Sequence, residues 1–139
     1  MSVGRTVSSR SSPETIVAVI EDDAAARRAL SRMLRVQGVR VACFSSAEEL
    51  LHGLTDTGPR CLVIDVMLPG MSGPDLVERL RADHVLLPTI FVTGRIDAVQ
   101  MLRQRGMGDL PCLQKPFEPA LLVQAVTRAL EGVSPEHRA

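Results

Sequence analysis

Tryptophan and tyrosine are absent from this chain, and Phe44, Phe91 and Phe117 are its only aromatic residues. Stacking the bases of a single-stranded nucleic acid takes more aromatic faces than that. Net charge is missing too: sixteen basic residues cancel sixteen acidic ones, so no global field draws in a polyanion and only a local basic patch is open to the chain. Direct nucleic-acid binding is not expected. Cysteine is scarce. Cys43, Cys61 and Cys112 are odd in number and form no CxxC pair, which excludes a disulfide framework and predicts reduced thiols in a cytosolic compartment. Their expected role is that of small core hydrophobes. His52, His84 and His137 are scattered and give a histidine metal site no support. No apolar run approaches the roughly 20 residues that cross a bilayer. The first fourteen residues (MSVGRTVSSRSSPE) lack the apolar core of a secretory signal. The expectation is a cytoplasmic protein without membrane contact. Lysine is almost absent as well, with fifteen arginines and the single Lys115.

What remains is ordinary globular material. The 139 residues are 45% hydrophobic and 23% charged, enough for one domain with one real core and no staple. Residues 1–14 read as a flexible arm, 15–131 as the domain and 132–139 as a tail. Two textures alternate within the domain. Short β-branched runs, TIVAVI (15–20), VRVACF (39–44), CLVID (61–65), PTIFVT (88–93) and a weaker PCLQ (111–114), are apolar on both faces, as buried parallel strands are. Between them lie helical patterns. Ala26, Leu30, Met33, Leu34 and Gln37 share a face that ends at Gly38. Ser46 and Glu49 have capping-box spacing ahead of Leu50, Leu51 and Leu54. Ser72-Gly-Pro-Asp75 opens a third helix, with Leu76, Val77 and Leu80 facing inward. Residues 96–105 and 118–131 supply two more. Strict alternation predicts an α/β fold, a five-stranded open parallel sheet with five helices on its two faces. The functional crevice of such a sheet lies outside the carboxyl ends of its strands.

Those ends carry a chemically odd set of residues. The first strand runs into Glu21-Asp22-Asp23, the third ends in Asp65, the fourth in Thr93, and the fifth runs into Lys115-Pro116. Carboxylates converging on one rim repel unless a cation intervenes, and hard oxygen ligands around a wet position suit Mg²⁺. An ammonium and a hydroxyl beside them point to a phosphoryl group as the third participant. Asp65 follows four apolar residues, where an acid is costly unless it reaches the rim, the position of a nucleophile that attacks phosphorus. Lys115 is a compact point charge suited to a phosphoryl oxygen, and its isolation among arginines singles it out. Other acids, such as Asp56 and Asp83, read as solvated loop charges, and Asp23 as a helix N-terminal charge. Arg28, Arg32 and Arg35 form one helical stripe that reads as a solvated face.

Four segments, VIEDD (19–23), VIDVMLPGMSG (63–73), VTG (92–94) and QKPF (114–117), together resemble the receiver domain of two-component response regulators, over about residues 15–131. The resemblance implies a doubly wound, flavodoxin-like receiver fold. It makes Asp65 the phosphoacceptor and a Mg²⁺ ligand, with Asp22 as a direct ligand, the Met67 backbone carbonyl completing the protein ligands and Glu21 an acidic partner acting through water. Thr93 becomes the switch hydroxyl, Gly94 the start of the loop that shifts, and Lys115 the ion pair to phosphate. Asp23 lies one place beyond the family's acidic pair. The implied function is a phosphorylation-activated signalling switch, fed by a sensor histidine kinase or a histidine phosphotransfer protein. Its helix 4/strand 5 face changes to alter the binding of a downstream protein target, and a phosphorylation-dependent dimer is compatible with it. Such a domain promotes only its own phosphorylation and dephosphorylation and is not otherwise an enzyme. The arginine stripe would be a kinase-docking face by analogy alone. One position departs from the family: the usual aromatic switch residue three before the lysine is Cys112, preceded by Leu110-Pro111, which makes this edge strand irregular.

Three rival functions compete. A haloacid-dehalogenase-type phosphatase also uses Asp, Mg²⁺, Thr and Lys, but wants a second Asp two residues after the nucleophile, where Met67 stands, and room for a cap domain. A flavin carrier needs a phosphate-cradling loop after the first strand, where three acids stand, and aromatic rings to stack on flavin. A pseudo-receiver that docks partners without phosphorylation is disfavoured by the intact acceptor, metal and lysine positions. The downstream target stays open, as does the choice between a stand-alone receiver and one cut from a longer regulator.

Overall fold

The computed structural model describes residues 16–132. The expected arm at 1–14, the expected start of order at Thr15 and positions 133–139 of the expected tail lie outside the described residues. Ten elements alternate: β1 (Ile16–Ile20), α1 (Ala24–Arg35), β2 (Arg40–Phe44), α2 (Ala47–Thr57), β3 (Cys61–Asp65), α3 (Gly73–Ala82), β4 (Thr89–Thr93), α4 (Ala98–Gln104), β5 (Cys112–Gln114) and α5 (Pro119–Gly132). Gly132, placed in the tail by sequence, thus closes the last helix. No helix among the described residues is long and apolar enough to cross a membrane.

All strand pairs are parallel, in the order β2-β1-β3-β4-β5. Successive strand residues point to opposite faces, so each strand feeds two cores. Ala18, Ile20, Leu62, Ile64 and Phe91 meet Ala47 and Leu50 of α2, Leu76 and Leu80 of α3, and Ala98 and Leu102 of α4. Val17, Val19, Cys61, Val63, Ile90 and Val92 meet Leu30 and Leu34 of α1 and Leu122 and Val126 of α5. Double-sided burial explains why these strands read as continuous apolar runs rather than alternating ones. The order places β1 and β3 side by side at the centre, where successive connections leave in opposite directions. That switch point is where open α/β sheets build their sites.

Local chemistry sets the helix ends. Asp23 caps α1 by accepting from the Ala26 N–H at 2.8 Å, the role expected of it. Gly38 takes φ +84° just beyond α1, a conformation that favours glycine. Ser72 and Asp75 complete a reciprocal capping box on α3. The box expected at Ser46 closes only half-way: Ser46 accepts from the Glu49 N–H, while the Glu49 carboxylate reaches past the cap to Ser45. The expected helix at 96–105 is observed as Ala98–Gln104, and Asp97 at its N-cap pairs its carboxylate with Arg95 rather than with a helix N–H.

Two expectations about burial fail. Gln37 lies beyond the end of α1 and is exposed, not part of the buried face. Of the cysteines only Cys61 is a core residue, and burial pushes its thiol up to about 12. Cys112 is half-buried, and Cys43 is exposed on the edge strand β2, 2.8 Å from the Ser31 hydroxyl.

The α3 N-terminus packs directly on the end of β3. Gly73 donates its N–H to the Val66 carbonyl at 3.1 Å, and a Cβ there would stand 2.6 Å from the Asp65 carbonyl oxygen and 3.1 Å from Val66 Cα. Both are backbone atoms that no rotamer change can move. Gly73→Ala is therefore expected to destabilise the fold by about 1–3 kcal/mol through overpacking, read as a lower denaturation midpoint at an unchanged m-value. An alanine variant as stable as the parent would refute this packing account.

Candidate functional site at the carboxyl ends of the strands

Glu21 follows the last residue of β1 and extends the ladder by one bond, its N–H donating to the Phe44 carbonyl at 3.0 Å. Continuing the strand aims its side chain into the protein, and only 1% of the residue is exposed. One carboxylate oxygen accepts from the Asp23 N–H at 3.2 Å, the other from Lys115 Nζ at 2.7 Å. Burial drives the Glu21 carboxyl above its ordinary value; the Lys115 ammonium opposes that rise and the neighbouring Asp65 adds to it. Asp22, the next residue, is exposed, and its carboxylate stays near that of Glu21.

Asp65 ends a strand buried throughout and is itself 7% exposed. Its Oδ1 accepts from the Met67 N–H at 2.9 Å and its Oδ2 faces Lys115 Nζ at 3.3 Å. The loop beyond it is tied down separately, with the Met71 N–H donating to Glu48 of α2 at 3.2 Å and Gly70 at φ +73°. Lys115 arrives from β5, whose ladder continues past Gln114 through the Lys115 N–H to the Thr93 carbonyl at 2.7 Å. Burial works to depress the Lys115 ammonium, but the hydrogen bond to Glu21 and the charge of Asp65 outweigh it and raise its pKa. Family resemblance pairs this lysine with phosphate; here its shorter contact is to Glu21.

Glu21, Asp22 and Asp65 each offer a carboxylate oxygen, and these oxygens lie within 4.8 Å of one another. Three hard oxygens, one on an exposed side chain, form a donor set that fits a hard divalent cation. Thr93 ends β4 and is 1% exposed. Its hydroxyl accepts from the Arg95 N–H at 3.0 Å, which leaves its proton free to donate elsewhere. Gly94 is exposed and opens the loop that carries Arg95, the 83% exposed Ile96 and Asp97 to α4. Cys112 sits at the start of β5, paired with Phe91 and packed on the core under α4. The irregularity expected from Pro111 shows as a three-residue strand. Proline withholds a donor but not its carbonyl, which accepts from the Phe91 N–H at 2.9 Å.

Two arginines, one at the site and one between α3 and α4, escaped sequence reasoning. Arg27 Nη1 donates to the Glu21 carbonyl at 2.8 Å and approaches the Asp22 carbonyl at 3.5 Å. Arg105, at the end of α4, pairs with Asp75 at 2.9 Å and Glu78 at 2.8 Å on α3. Nothing in a chain of fifteen arginines marks either one; only the helix that projects each of them does.

Residues 17–127 match the family model of the response regulator receiver domain. Nodulation protein W of Bradyrhizobium diazoefficiens is 39% identical over 120 residues, covering 86% of this chain and 53% of that protein. Response regulator protein TmoT of Ectopseudomonas mendocina is 34% identical over 118 residues, covering 85% and 54%. The chain thus spans about half the length of the curated relatives it matches. Among solved structures, the receiver domain of the Francisella response regulator 1452 shares the fold with a TM-score of 0.77 at 21% identity, over 86% of this chain and 99% of that one. Response regulator StyR superimposes with a TM-score of 0.76 at 34% identity, over 89% and 62%. Fold and rim together define a doubly wound signalling domain with an acidic pocket. The chain belongs to the response regulator receiver domain family, whose standard function is a phosphorylation-activated switch.

Removing Lys115 would strand the Glu21 carboxylate in a buried place. Lys115→Met is expected to cost about 1–3 kcal/mol of stability, the penalty of a buried group left without its partner. Adding Glu21→Gln should restore most of the loss, since the stranded charge is then gone. Denaturation of the four proteins of this cycle measures the coupling, and a double variant less stable than Lys115→Met alone would exclude it.

Proposed function

We propose that this chain takes a phosphoryl group onto Asp65 and passes the change to a protein partner through the loop that starts at Gly94. The observation that carries the proposal is the meeting of Asp65, Lys115 and the Glu21–Asp22 pair at one rim, from three separate strand ends. The phosphoryl donor is a phosphohistidine on a sensor histidine kinase or a histidine phosphotransfer protein, as the family implies. A carboxylate oxygen of Asp65 attacks phosphorus; a P–O bond forms, the P–N bond of the donor breaks, and the imidazole leaves with the bond's electron pair and takes up a proton. Strand β3 carries Asp65 to the rim, where 7% of the residue stays exposed, and the Met67 N–H fixes one oxygen. Lys115 holds positive charge beside the acceptor, where it meets the charge that develops on the phosphoryl oxygens. Glu21, Asp22, Asp65 and the Met67 carbonyl would hold Mg²⁺, whose contribution when bound is to neutralise phosphoryl oxygens.

In the output half of the proposal, Thr93 gives its hydroxyl proton to a phosphoryl oxygen. Its present bond ties that hydroxyl to Arg95, so any rotation of Thr93 acts first on the 94–97 loop and through it on α4. Cys112 is too small to fill the space an aromatic ring would take, and the switch here runs without an aromatic rotamer. The switch works in the cytoplasm, and its downstream partner is a protein.

Asp65→Asn, nearly isosteric but without the nucleophilic charge, is expected to abolish phosphoryl uptake with the fold retained. Incubation with Mg²⁺ and acetyl phosphate followed by intact mass reads this directly: one hydroxylamine-labile phosphoryl group on the parent and none on the variant. Undiminished labelling of the variant would move the acceptor elsewhere. The output half has its own test. Phosphoryl-dependent amide shifts should cluster at 93–105 and stay small at 110–114, and Thr93→Ala should collapse them where Cys112→Ala does not. Largest shifts centred on Cys112 would overturn this route.

A further inference from the structure

Glu21, Asp22 and Asp23 are three acids in a row at the end of a strand, and like charges at this spacing push the turn open unless something holds it. The Asp23 N–H bonded to the Glu21 carboxylate and the Ala26 N–H bonded to Asp23 are two of its ties. Both use acids as acceptors and neither brings in a positive charge. The third tie does. Arg27, one turn into α1, lays its Nη1 on the Glu21 carbonyl at 2.8 Å and within 3.5 Å of the Asp22 carbonyl. Its own backbone is held by a bond to the Asp23 carbonyl at 2.8 Å and by the Ser31 hydroxyl on its carbonyl at 2.9 Å. Glu21 is therefore gripped at both ends, its carboxylate by Lys115 from β5 and its carbonyl by Arg27 from α1. A peptide plane held at its carbonyl fixes the direction in which the next side chain leaves, and the next side chain is Asp22.

We infer that Arg27 is a positioning residue for the acidic rim: by anchoring the main chain of Glu21 and Asp22 it sets the aim of their carboxylates and so the affinity of the site for a divalent cation. The inference rests on the proposal that Glu21, Asp22 and Asp65 hold Mg²⁺, and it adds a residue that touches neither metal nor phosphoryl group. Groups one shell out from a metal often decide its affinity, and losing one typically costs about 10–100-fold. Both contacts come from Nη1, held in a rigid planar fork whose orientation an ammonium on a flexible stem does not reproduce.

Electrostatics gives the test its sign. Taking a positive charge away from beside a cation site should by itself tighten cation binding, so weaker binding after loss of Arg27 has a geometric cause. Mg²⁺ alone is titrated into the full chain and followed by amide shifts of residues 21–23 and 65–67. Arg27→Gln is expected to raise the Mg²⁺ Kd roughly tenfold, with Arg27→Lys between it and the parent. Arg28→Gln, which removes the same charge from an exposed neighbour on α1, should leave the Kd unchanged or lower. An Arg27→Gln variant that binds as tightly as the parent, or a weakening as large in Arg28→Gln, overturns the inference. If Arg27→Gln loses its dispersed spectrum, Arg27→Lys decides alone: a severalfold weaker Kd supports anchoring and an equal one refutes it. A parent chain with no Mg²⁺-dependent shifts overturns the metal reading beneath, and this inference with it.

Discussion

The single ammonium of Lys115 is the interaction on which the arrangement at the rim depends. Glu21 and Asp65 are carboxylates on adjacent central strands, both almost without exposure, and two buried like charges are unstable as neighbours without a cation between them. Lys115 contacts both, at 2.7 and 3.3 Å, and lies 94 residues from one and 50 from the other along the chain. No local element could supply it. The β-α repeat has to be built through to β5 before the positive charge is in place, so the rim's chemistry is coupled to completion of the sheet.

Charge at this rim is managed in two layers. The inner layer joins side chains: Lys115 to Glu21 and Asp65. The outer layer holds the main chain that presents them. Arg27 binds the carbonyls after β1, the Met67 N–H closes on Asp65, Glu48 secures the loop before α3, and Gly73 lets α3 begin against the Asp65 carbonyl. This outer layer explains how a site made at strand ends can be well defined although each contributor sits at the edge of a loop. A receiver has to change shape, and the loop after Thr93 is built differently. Gly94 and Ile96 are exposed, and among the described residues Arg95 is tied only to Thr93 and Asp97. The Asp65 side is braced and the side proposed to move is left light, as a two-state element requires.

The element pattern was legible because doubly buried strands and amphipathic helices leave strong, different periodicities. Misses fell where a side chain had two uses. Glu49 stands at capping-box spacing from Ser46, yet its carboxylate reached past the box to Ser45. Spacing alone does not tell which of two partners lies closer. Cys43 reads as core because β2 is apolar in sequence, but β2 is an edge strand, and one of its faces has less to pack against.

By itself the sequence determined the fold class, the order of elements and the short set of polar residues at strand ends, since each follows from local pattern and from the rule that parallel sheets work at their carboxyl ends. Tertiary structure decided the partnerships. Glu21 lies deeper than Asp22 because β1 continues one bond further, Lys115 leans on Glu21 more closely than on Asp65, and one arginine among fifteen lands on the acidic turn. These are choices among partners far apart in sequence, and only the packed sheet, with α1 laid across it, settles them.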